Sequence, residues 1–192
     1  MNGINASLLE KCLNMKPSID LEGMKMKMEK LSEQVLLCEK DSHDQSNHVA
    51  QMNLKKFKDY QTQSLALYVR VVEELILQTD KKTVHGDLCE FLRDRVFHQA
   101  LIACCIEAVF FINNSSNMSF LTLLEKCEIQ AFDFWRVITF FVKCDANMPF
   151  PLKKHLHDLE IKIITQLAWR KGSQIHHTIK AYFQENVKKG MC

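Results

Sequence analysis

The groups in this sequence with chemical potential are its histidines, its thiols and a few charges on otherwise apolar helices. His155 and His157 stand two residues apart in a helical pattern, which turns their rings to different faces and prevents joint chelation of one metal. His176 and His177, one apart, fail likewise, so both pairs read as surface histidines. The eight cysteines fall at positions 12, 38, 89, 104, 105, 127, 144 and 192 with no Cys-x-x-Cys pair, so no zinc framework is expected. Cys104 and Cys105 lie in the most apolar stretch, where a thiol behaves as a small hydrophobe and its expected role is structural. There is no Gly-x-Gly-x-x-Gly, Walker loop, Gly-x-Ser-x-Gly or His-Glu-x-x-His. The expectation is a protein without catalytic, metal or cofactor sites.

Two features stand apart. In the helical segment 131–144, Phe132, Trp135, Ile138, Phe141 and Val142 take one side. Asp133, Arg136, Thr139 and Lys143 follow at steps of three, three and four on another, a narrow polar strip on a very apolar helix. Glu160 stands one step past Leu159 and four past Leu156, at the edge of the next apolar stripe, where a carboxylate needs a donor from the fold or from a partner. Periodicity alone leaves open whether the strip is a solvated face or a docking surface.

The elements that carry these residues are helices. With 5 glycines and 3 prolines in 192 residues, hairpin turns and Gly-rich loops have little to be built from. The 47% apolar and 25% charged fractions belong to a globular chain, which at this size buries roughly 70% of its unfolded surface. A net charge of +2 is too small for a nucleic acid to be the main partner, so protein partners are expected. Residues 4–40 read as two helices parted at Lys16-Pro17-Ser18, and polar residues 41–47 as a linker. A helix over 49–78 follows, then a short one over 87–92. Residues 96–113, apolar nearly all round, make a hub helix that the others must surround. Its core run, 100–112, is shorter than the roughly 20 residues a bilayer needs, so no membrane segment is expected. Further helices are expected over 118–127, 131–144, 152–169 and 174–187, the last one weak. The amino-terminal residues lack a charged region followed by an apolar one, so a reduced, intracellular setting is expected.

Several strings carry a resemblance to a known family: DRVFHQALIACCIE at 94–107, AFDFWRVI at 131–138, KHLHDLE at 154–160 and LAW at 167–169. With LEKC at 9–12 and LYVRVVE at 67–73 upstream, roughly residues 5–180 resemble the A box of retinoblastoma-type pocket proteins in order and spacing. The resemblance implies an all-α, cyclin-like five-helix bundle with additional N-terminal helices. The organisation it suggests is N-terminal helices over 1–45, the pocket A box over 46–170 and a terminal helix or tail over 171–192.

In that family the A box joins a B box, and the acidic transactivation segment of E-two-F transcription factors binds between them. Carried over by position, the partner-binding residues are Lys82, Arg136, Lys143 and Glu160, with Thr139 where an acidic residue is usual. Three cations suit an acidic ligand, and Glu160 can accept from its donors. The implied function is transcriptional regulation in the cell cycle, in the nucleus, without direct nucleic-acid or membrane contact. The 192 residues hold no B box, which carries the cleft for Leu-x-Cys-x-Glu peptides, and no Ser-Pro or Thr-Pro dipeptide. An A box by itself exposes apolar surface meant for B, so self-association is expected. Two other functions fit the same fold: a cyclin-type activator of a protein kinase, and a scaffold that binds only its B-box partner.

Overall fold

The computed structural model describes residues 26–33, 47–81, 94–115, 118–144, 147–173 and 175–188. The expected helix before Pro17, most of the linker, the short helix over 87–92 and Lys82 lie outside the described residues. All regular structure among the described residues is helical. We label the helices α1 (residues 26–33), α2 (Asn47–Lys81), α3 (Arg95–Ile112), α4 (Phe120–Lys126), α5 (Ala131–Cys144), α6 (Phe150–Lys162) and α7 (Ile175–Lys188).

The hub helix is α3. Asp94 caps its start, the carboxylate accepting from the Val96 N–H at 2.9 Å, and the Asn113 side chain donates to the Val109 carbonyl at 2.8 Å where it ends. Thirteen of its eighteen residues are buried, and α2, α4, α5 and α6 all touch it. By length and composition α3 could pass for a membrane span, contrary to the shorter run read from sequence; its burial inside the bundle makes it a core helix. Small side chains at Ala100, Ala103, Cys104 and Ala108 let neighbouring backbones come close, while Leu101, Ile102 and Ile106 fill the space between. Burying each of these three contributes about 1.5 to 3 kcal/mol.

Helix α2, about 52 Å long at 1.5 Å per residue, buries Tyr60, Tyr68, Val71, Val72, Leu75 and Ile76 against α3 and α5. A buried polar contact crosses that interface. Tyr68 Oη and His98 Nδ1 lie 2.7 Å apart with no exposure at His98, and desolvation pushes the tyrosine hydroxyl well above its ordinary pKa. The shared hydrogen bond removes the cost of burying two polar groups. Tyr68→Phe is expected to destabilise the chain by about 1 to 3 kcal/mol by orphaning the ring nitrogen, measurable as a lower urea midpoint at unchanged slope. No change would mean that the imidazole has another partner for that atom.

Helix α4 starts at Ser119, whose hydroxyl accepts from the Thr122 N–H at 3.2 Å. Helix α6 starts at Pro149 with Pro151 in its first turn, where a missing N–H costs nothing. The sequence predicts one α-helix from Leu152 to Trp169; instead α6 ends at Lys162 and a π-helical turn spans Ile163–Leu167. The Ala168 N–H reaches back five residues to Ile163 O at 2.8 Å, and the Trp169 indole N–H donates to Ile164 O at 2.6 Å. The wider turn lets Ile163, Leu167 and Ala168 all be buried, which regular α geometry would not arrange so closely. Gly172, at φ +86°, then reverses the chain into α7. The weak terminal helix of the sequence reading is thus fourteen residues long, anchored by buried Ile175. Helices α2 to α6 form the five-helix, all-α, cyclin-like bundle, and α1 adds to it on the N-terminal side, with Met28 and Ser32 buried.

Candidate partner-binding face

Helix α5 keeps the bounds its sequence pattern predicts, and its orientation follows from what it buries. Phe134, Val137, Ile138 and Phe141 are all but inaccessible, packed against the hub. The steps of three and four from Arg136 to Thr139 to Lys143 therefore fall on the outer side: Arg136 is half-buried, and Thr139 and Lys143 are exposed. Lys143 lies in the last helical turn, where the macrodipole favours a cation.

Asp133 departs from the strip assigned to it. It is 5% exposed, and its Oδ2 accepts from the Gln130 N–H at 3.1 Å, turning back over the first turn of α5 as the acidic half of a capping box does. Desolvation raises its pKa, opposed by that backbone bond and by the Arg136 charge. Its other oxygen has no hydrogen-bond partner among the described residues. Asp133 thus belongs to the helix start, and the strip reduces to half-buried Arg136 with exposed Thr139 and Lys143.

Glu160 is half-buried on α6, which packs against α5. Its Oε2 lies 3.5 Å from His157 Nδ1, a solvent-screened contact that a better donor can replace. His157 is exposed as predicted, but His155 is not a surface histidine. Its Nε2 lies 2.9 Å from Glu107 Oε1, and its ring stacks on Phe111 at 4.2 Å between centroids, so it clasps α6 to the hub. Glu107, which interrupts the apolar run in sequence, is the other half of that clasp. No local signal foretells the pair, since the two residues are 48 positions apart.

The thiols of Cys104 and Cys105 are fully buried, and burial pushes their pKa well above the ordinary range, leaving little nucleophilic thiolate. Burial pushes the Cys127 thiol up to about 12. Among the described residues no group of three or more His, Cys, Asp or Glu side chains is placed to hold a metal ion.

Fold and face together define a cyclin-like helical module with a basic strip on one outer helix and a carboxylate on the next. Residues 5–179 match the family described as the retinoblastoma-associated protein A domain, and the chain belongs to that family of pocket A boxes. It is 34% identical over 117 residues to retinoblastoma-related protein 1 of Triticum aestivum, a match covering 61% of this chain and 12% of that protein. A retinoblastoma-related protein of Cocos nucifera is 30% identical over 131 residues, 68% of this chain and 13% of the relative. The chain thus spans about an eighth of the length of these relatives.

Proposed function

We propose that this chain is a non-catalytic regulatory module of the cell cycle, acting in the nucleus. In this reading it supplies one wall of a groove that holds the acidic transactivation segment of an E-two-F transcription factor, and a B box supplies the other wall. The segment, once held, cannot reach its coactivators, and transcription is repressed by masking. The observation that carries the reading is the outward strip of Arg136, Thr139 and Lys143 on α5, beside the helix that bears Glu160. The cations meet ligand carboxylates and Glu160 accepts from a ligand donor. Lys82 completes the set assigned by family position. Thr139 offers a neutral hydroxyl there, so a hydrogen bond from a ligand donor would be weaker than one to a carboxylate.

The requirement for a B box is supported by the surface. Phe150 is 76% exposed, Trp169 51%, Tyr182 65% and Phe183 62%, large rings that a partner would cover. The test is to mix the chain with a separately expressed B box and titrate a labelled transactivation peptide. Binding that Arg136→Glu with Lys143→Glu abolishes is expected to the mixture and to neither part alone. A mixture that forms a complex yet ignores the peptide would leave only a scaffold that binds its B box.

A further inference from the structure

We propose that the chain carries a second site for an acidic peptide segment of a partner protein, in a basic groove formed by α1, the start of α3 and the end of α4. These elements hold none of the residues assigned to the strip on α5 and α6. The groove is an open cavity of about 370 Å³, within the range of ligand sites. Lys27 and Lys30 face it from α1, Arg95 from the first turn of α3 and Lys126 from the last turn of α4, with Glu128 the one carboxylate among the described lining residues. Lys27, Lys30 and Arg95 are exposed.

That carboxylate does little to neutralise the groove. Arg95 and Glu128 are 3.7 Å apart with both side chains more than 70% exposed, so water screens the pair and the guanidinium fork remains free to take a ligand carboxylate in two-pronged fashion. Four cations around one cavity repel one another, and an acidic ligand relieves that repulsion as it binds.

The rest of the lining narrows the class of ligand. Met28 and Leu31 give the groove an aliphatic floor, and no aromatic ring is among the described lining residues, so a nucleic-acid base has nothing to stack on. A lone inorganic anion would leave the floor unfilled. A peptide that alternates acidic and apolar side chains matches both rim and floor. Gln99, 5% exposed, also lines the groove. It can donate to and accept from a ligand backbone amide.

The test is fluorescence anisotropy of the chain with a short fluorescein-labelled peptide alternating glutamate and leucine, at low and moderate salt. Lys27→Glu with Lys126→Glu is expected to weaken binding about tenfold or more, and the parent's affinity is expected to fall with salt. Lys30→Glu, on an exposed side chain, should act in the same direction, with helical circular dichroism confirming that each variant is folded. Lys154→Glu, exposed on α6 and outside both sites, should bind this probe as the parent does, and Arg136→Glu with Lys143→Glu tells this groove from the strip on α5. If the lysine variants bind like the parent, the inference is overturned. If the α5 variant alone loses the probe, the site is the strip on α5, and the regulatory reading stands without this one. A single-stranded oligonucleotide of equal charge that binds as tightly, and with the same loss in the lysine variants, would overturn the peptide assignment.

Discussion

Phe134→Ala is expected to cost about 3 to 5 kcal/mol of folding stability, the largest effect of any single change considered. The ring has no exposed surface and meets Phe120 edge-on at 4.9 Å, joining α5 to α4 beside the hub. Truncation forfeits the transfer free energy of the ring and leaves a void between helices that cannot close without moving α5. Chemical denaturation followed by circular dichroism reads the loss directly, with the slope reporting whether the native state stays compact. A cost under about 1 kcal/mol would mean that α5 is not held against the bundle as described. The outcome bears on function, because Arg136 lies two residues further along the same helix and takes its direction from this packing.

Reversing the charge of the strip, Arg136→Glu with Lys143→Glu, is the second large effect. In a complete pocket it is expected to weaken binding of the acidic transactivation segment by about 2 to 4 kcal/mol, because each substitution replaces an attraction by a like-charge contact. That corresponds to about thirtyfold or more in Kd, and most of it should vanish at high salt where the contacts are at the rim. Lys143 is exposed and Arg136 half-buried, so the fold should tolerate the first readily and the second at small cost. Isothermal titration against the parent pocket gives the comparison, and equal affinity would remove these residues from the site.

How much of this was legible beforehand depends on how far apart the interacting residues lie in the chain. The bounds of α5 and the enclosed character of α3 follow from steps of three and four in the sequence, because a helix places those positions on one face wherever it sits. The outward strip was legible for the same reason, and Asp133 was misassigned to it for a related one: periodicity gives direction around the helix but not the capping bond to Gln130 that buries the carboxylate. The π turn at Ile163–Leu167 was not legible, since it is set by how three apolar residues meet the core. His155 looked like a surface residue because its partner Glu107 belongs to another helix.

What the amino-acid order determined by itself was the all-helical character, most helix bounds, the hub and, through its family strings, membership of the pocket A boxes. Those are properties of local periodicity and of residue patterns, which need no neighbour in space to be expressed. Tertiary structure alone decided the Tyr68–His98 and Glu107–His155 contacts, the burial of Asp133 and the meeting of Lys27, Lys30, Arg95 and Lys126 around one cavity. Such groups come from separate helices, some of them a hundred residues apart, and only the packing of those helices on α3 sets their distances.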